Sequence, residues 1–218
     1  MGFSLSRQHL TLALLTAGMA APLLYYGLQA AAAPFYPGFS FVGTTASELG
    51  SDLSPQAPAF NAGIILLGAA TLLASAGFWR ALRRLGASPA LALPTSLAVA
   101  ANGVQSLWAG LHPMPDPRHG GHPAFILAMI LLPPLLTAAL WRHSRSRVLQ
   151  AYLLATLALL AVMIPLMSGA TGLDTHTYRG LLQRVFTLTI FPPIGVAAYV
   201  LARRVRASAR NDRAKQPS

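Results

Sequence analysis

Apolar residues run along this chain in six long blocks, separated by short polar or glycine- and proline-rich breaks. The blocks fall at Leu10–Ala33, Ala59–Trp79, Ala90–Leu111, Pro123–Trp141, Val148–Ser168 and Leu181–Ala202. None shows the period-two alternation of a barrel strand, and each has roughly the 20 residues that a helix needs to cross a bilayer. The pattern predicts an all-α protein, a polytopic membrane bundle of six transmembrane helices. Short connections imply that successive helices are antiparallel neighbours. Residues 1–203 would form one transmembrane domain, and residues 204–218 a basic, disordered tail.

Three breaks in the pattern carry detail. Arg7, an apolar run and Ala30-Ala31-Ala32-Ala33-Pro34 have the order of a signal peptide. The apolar core from Leu10 to Leu28 exceeds the roughly 7–15 residues of such a segment, so an uncleaved first helix is expected. The loop at residues 34–58 is rich in aromatics (Phe35, Tyr36, Phe39, Phe41), which suits a segment lying on the membrane or folded over the bundle. Within it, Thr45-x-x-Glu48 matches a capping box and Gly50 is placed to end a short helix. Pro133-Pro134 and Pro192-Pro193 interrupt the fourth and sixth blocks, and each pair should kink or open its helix.

Composition agrees with this class: 54% of residues are hydrophobic and 10% charged. The net charge of +11 changes the picture only through its distribution. Arg7, then Arg80, Arg83 and Arg84, then Arg142, Arg145 and Arg147, then the arginines and Lys215 of the tail all fall on one side of the predicted bundle. Basic residues accumulate on the cytoplasmic side, so both termini are expected there. This is a topology signal that also attracts anionic lipid, which makes membrane lipids the expected partners and nucleic acid not one. No pattern points to a protein partner or a homo-oligomer. The absence of cysteine excludes disulfides and thiolate metal sites. The Arg- and Ala-rich composition is that of a GC-rich bacterial genome, and hence of a bacterial cytoplasmic (inner) membrane protein.

Candidate chemistry gathers on the opposite, outward side. Glu48, Asp52, Asp116 and Asp174 lie there, with His112, His119, His122 and His176. The segment from His112 through Asp116 and His119 to His122 offers imidazoles and a carboxylate. Asp116, His119 and His122 would suit a divalent metal such as zinc. Asn102, Gln105, Ala109 and His112 share one face of the third helix and would line a wet cavity or bond to a neighbouring helix. Arg184, about one turn inside the sixth helix, would snorkel or pair with Glu48, Asp116 or Asp174. No ionisable residue lies near the middle of a span, which argues against proton relays and voltage sensing. Phosphate-cradling loops and nucleophile elbows are also missing.

Four short motifs in order carry a resemblance: Ser47-Glu48-Leu49-Gly50, Phe60-Asn61-x-Gly63, His112-Pro113-x-x-Asp116 with His122, and Gly180-Leu181-Leu182-Gln183-Arg184. Together they resemble the bacterial six-helix membrane family catalogued as domain of unknown function 998. The resemblance implies six helices with outward-facing motifs and marks Glu48, Asp116, His122, Gln183 and Arg184 as matching positions. It implies no activity. The leading expectation is an outward site acting on a lipid or lipid-linked substrate, by metal-assisted hydrolysis or transfer. Asp116, His119 and His122 would hold the ion, Glu48 or Asp174 would act as base, and Arg184 would hold an anionic group. Asn102, Gln105, His112 and Gln183 would contact substrate. The alternatives are a permease using the proline-kinked helices, or a non-catalytic membrane assembly protein.

Overall fold

The computed structural model describes residues 2–141, 146–172 and 174–214. Arg142, Arg145 and Lys215, three of the basic residues in the topology argument, lie outside it. The described chain is helical, without strands, in the order α1 (Gly2–Ala32), α2 (Ala57–Arg84), α3 (Pro89–Leu111), α4 (Pro123–Trp141), α5 (Arg147–Met167), α6 (Arg179–Thr187) and α7 (Phe191–Ala214). Two 3₁₀ turns, Ala33–Phe35 and Ser47–Gly50, sit in the loop between α1 and α2.

Helices α1, α2, α4 and α5, and α6 with α7 taken together, are long and apolar enough to cross a membrane. This is a multi-pass membrane architecture. Helix α3 has 23 residues and lies outside that set, with several polar side chains in its buried face. Its Thr95, Ser96, Asn102 and Ser106 are buried, and each donates to the carbonyl four residues back. That local back-bonding lets polar side chains enter a helix interior without a partner elsewhere.

Helix α2 packs most extensively on α3 and next on α1, while α7 lies against α1, α2 and α4. Helix α5 is peripheral, its closest neighbours being α4 and α6. Helix α1 is built into the bundle through buried Leu15, Ala21 and Tyr25, and Tyr25 stacks on Phe191 of α7 at 4.1 Å. The α2–α3 contact depends on small residues. A Cβ on Gly103 would come within 2.9 Å of the Gly68 carbonyl, and one on Gly68 within 2.6 Å of the Leu107 nitrogen. Without a hydrophobic drive between helices in lipid, such backbone approach supplies the packing attraction.

The proline pairs behave differently from one another. Pro192 and Pro193 occupy the first turn of α7, where missing N–H groups cost nothing, and the sixth span is broken by a turn at residues 188–190. Pro133 and Pro134 lie inside an unbroken α4, contrary to an opened helix there. Leu132, Pro133 and Leu136 are buried in packing, and Thr137 donates to the Pro133 carbonyl at 2.9 Å. Helix α7 continues to Ala214, because Val205 and Ala209 remain buried beyond the apolar block.

The glycine contacts yield an expected outcome. Gly103→Ala should destabilise the detergent-solubilised protein by about 1–3 kcal/mol through overpacking. Gly27→Ala, with open space around it, should be neutral or stabilising by up to about 1 kcal/mol. Thermal unfolding of both variants beside the parent checks the contrast.

Candidate functional site

At one end of the bundle the loop between α1 and α2 folds back as a strap, and α6 holds it. Glu48 closes the expected capping box: its Oε2 accepts from the Thr45 amide (2.7 Å) and hydroxyl (2.8 Å), while the Glu48 amide donates to Thr45 Oγ1 (3.3 Å). Its other oxygen, Oε1, pairs with Arg179 Nη2 at 2.8 Å. The Glu48 side chain is 15% exposed and that of Arg179 45%. Arg179 also donates to the Gly43 carbonyl at 3.0 Å.

The next turn of α6 adds three ties. Gln183 Oε1 accepts from the Ala46 amide at 2.6 Å. Arg184 Nη1 donates to the Phe41 and Thr44 carbonyls at 3.0 and 2.7 Å, with its guanidinium over the rings of Phe39 and Phe41. The Leu181 amide donates to the Val42 carbonyl at 3.0 Å. Gly180 permits this approach, since a Cβ there would strike the Thr44 carbonyl. On the other flank Asn61 Nδ2 donates to the Gly50 carbonyl at 2.8 Å, and Gly50 is packed directly on the Asn61 side chain. Glu48, Gln183 and Arg184 are thus brought together, but as fasteners of backbone. Arg184 pairs with none of the three acids expected for it.

A second cluster forms in the α3–α4 loop. Asp116 takes a bidentate contact from Arg118 (3.0 and 2.7 Å) and the Arg118 amide (2.8 Å). The Arg118 side chain first, then its amide, holds the Asp116 carboxyl well below the usual carboxylate range, and the same contact raises Arg118. His112 Nδ1 lies 3.5 Å from Asp116 Oδ2, and its ring packs on Trp108 at 4.4 Å. His119 Nδ1 is 2.8 Å from the His112 carbonyl; since a carbonyl only accepts, Nδ1 carries a proton and donates, leaving Nε2 as the ring's other nitrogen. His122 turns away, its Nδ1 accepting from the Ala124 amide at 3.2 Å.

The residues expected to hold a metal are placed apart. Asp116, His119 and His122 face different partners, and no three His, Asp or Glu side chains converge among the described residues. Proline and glycine spacing fixed local turns rather than a shared focus. Asp174 is likewise a turn former. The Thr177 hydroxyl, then the amides of His176 and Thr177, bind its carboxylate and depress its pKa.

Between the strap and the α3–α4 loop lies a chamber of about 320 Å³. Phe60, Ile64, Leu67 and Phe186 give it apolar walls, while Ser47, Asn61, Gln105, His119 and Gln183 edge it with polar groups. Ile126 and Met167 line it although each is about half exposed on the outer surface, 54% and 47%. The α4–α5 side of the chamber is therefore not fully closed. The Gln105 Oε1 atom is buried there without a hydrogen-bond partner. Of the expected substrate contacts, Gln105 and Gln183 reach this space. Asn102 is satisfied within α3, and His112 stacks outside. Arg179 went unnoticed in the sequence, although its i, i+4 spacing to Gln183 put both on one face of α6.

A multi-helix membrane bundle with an end chamber is the class that fold and site define. The chain matches, over residues 19–201, the family described as "Protein of unknown function (DUF998)", and it belongs to that family. No curated protein and no solved structure is similar to it.

The carboxylate contacts predict a titration. Asp116 should titrate below the about 3.9 of a free aspartate, and Arg118→Gln should move its midpoint upward. Because the folded pKa is the depressed one, the bridge contributes above the unfolded pKa and is lost as pH falls through the folded value. Carboxyl ¹³C shifts of labelled Asp followed from pH 6 downward check both statements.

Proposed function

We propose that the protein is a multi-pass protein of a bacterial cytoplasmic membrane, with both termini inside, that takes the headgroup region of a lipid or lipid-linked molecule into its outward chamber. The observation that carries this reading is the chamber's build: apolar walls that include the half-exposed Ile126 and Met167 of α4 and α5, and a polar edge of amides, hydroxyl and imidazole. Its volume sits at the low end of ligand sites, roughly 300–1,000 Å³, which suits a headgroup with the chains left in the bilayer. Gln105 Oε1, buried and unpartnered, is an acceptor waiting for a ligand hydroxyl or amide. His119 supplies a base beside the same space, able to take a proton from such a hydroxyl.

A second reading, a permease, draws on the break between α6 and α7, because Thr187 and Phe191 on either side of that break line the chamber. It requires a solute flux that is lost when Pro192 and Pro193 are both replaced by alanine.

Two outcomes are expected. In vesicles carrying a photoactivatable diacyl lipid, adducts should form on chamber residues, and Ala109→Trp, which fills the space, should cut that labelling roughly tenfold or more. Equal labelling in a folded Ala109→Trp protein would sink the reading. Because the chain has no cysteine, single replacements can report topology. Cysteine at Pro117 or Gly172 should react with a membrane-impermeant thiol reagent on intact cells, and cysteine at Gly86 only after lysis.

A further inference from the structure

The opposite, basic end of the bundle holds a second cavity, far from the chamber and using none of its residues. Helix α5 leaves a groove of about 580 Å³ against α7. Its floor is apolar, with Leu149 and Val148 on α5 facing Val196 and Val200 on α7. Its mouth is formed by Arg203 and Arg204, with Tyr152 and Tyr199 at the edges.

Three features of this groove ask for a ligand. First, neither Arg203 nor Arg204 has a carboxylate partner among the described residues, although Arg204 is partly buried. Arg203 lies over the Tyr199 ring, 5.9 Å from its centroid, an arrangement that leaves its N–H edges available. Second, Tyr152 and Tyr199 flank the two arginines, an aromatic edge of the kind that suits the headgroup layer. Third, Val148, which lines the groove in the first turn of α5, is itself 81% exposed. The groove is thus apolar, open at the start of α5, and cationic at one end.

An occupant must match an apolar slot that ends in two guanidinium groups flanked by tyrosines. A free anion would leave the slot unfilled, and a soluble peptide would have to enter from the lipid side. We infer that the α5–α7 groove is a binding site for an anionic phospholipid, its phosphate held by Arg203 and Arg204 and one acyl chain lying along Val148, Leu149, Val196 and Val200. Arginine pairs with phosphate through two parallel hydrogen bonds, and basic pockets between helices at the membrane surface are suited to anionic headgroups. The lipid fills the gap left by the weak direct packing of α5 on α7, so it also seats α5 in the bundle.

The test uses the full chain in mild detergent, titrated with phosphatidylglycerol or phosphatidylcholine and read by native mass spectrometry. The parent should retain phosphatidylglycerol in preference to phosphatidylcholine. Arg203→Gln/Arg204→Gln should weaken phosphatidylglycerol retention roughly 25-fold, about fivefold per arginine. Arg206→Gln/Arg210→Gln, which removes the same charge outside the groove, should leave it within about twofold. Equal loss in both pairs, or no lipid preference in the parent, would overturn the proposal. A variant-free measurement covers misfolding: a photoactivatable phosphatidylglycerol should mark α5 and α7 at the groove in the parent protein, and marking confined to other helices counts against the site. Ala109→Trp should leave this labelling unchanged, so failure of the chamber reading and failure of this one are separable.

Discussion

Backbone that leaves a helix at the end of a membrane bundle must find its hydrogen bonds within the protein, and that requirement organises this molecule. The strap at residues 36–48 has carbonyls at Phe41, Val42, Gly43 and Thr44 that no regular element satisfies. Helix α6 answers with Arg184, the Leu181 amide and Arg179, while Gln183 accepts from the Ala46 amide. Arg179 works here as a fork, Nε to the Gly43 carbonyl and Nη2 to Glu48, for which a lysine would be a poor substitute. The same constraint explains why α6 is separate from α7. It is positioned by the strap at one end and released by the turn before Phe191 at the other.

The ion pair between Glu48 and Arg179 is best understood within that network. One carboxylate oxygen serves the capping box and the other serves Arg179, so the acid is used in full. Its lone pairs are committed to structure, and the chamber's polar edge is left to neutral amides, a hydroxyl and an imidazole. A ligand recognised there meets hydrogen-bonding groups more than charge. At the basic end the balance reverses, with two arginines above an apolar slot. The two ends of the bundle thus offer chemically different surfaces to the two leaflets.

Small residues make both arrangements possible. Gly68 and Gly103 bring α2 and α3 into backbone contact, which sets α3 at the depth where Gln105 and Ala109 reach the chamber. Gly180 and Gly50 do the same for the strap, one beneath the Thr44 carbonyl and the other against Asn61. The short motifs shared with the family therefore have a common physical purpose at this end: Ser47–Gly50, Phe60–Gly63 and Gly180–Arg184 interlock around one strap.

The sequence by itself determined what depends on composition and spacing along the chain. Block length and hydropathy gave the helices, with α4 matching its expected bounds of Pro123 and Trp141. The Thr45–Glu48 spacing gave the capping box, because both partners lie within one turn. Proline chemistry located the break before Phe191, since two missing donors suit a first turn. What tertiary structure decided were choices among distant partners. Glu48 lies next in space to Arg179 rather than Arg184, a matter of which face of α6 meets the strap. Asp116 is taken by Arg118 two residues away, and His119 and His122 turn to separate partners, so proximity in sequence did not become a metal focus. The chamber and the α5–α7 groove exist only where helices fail to close on one another, and no local pattern records such a gap.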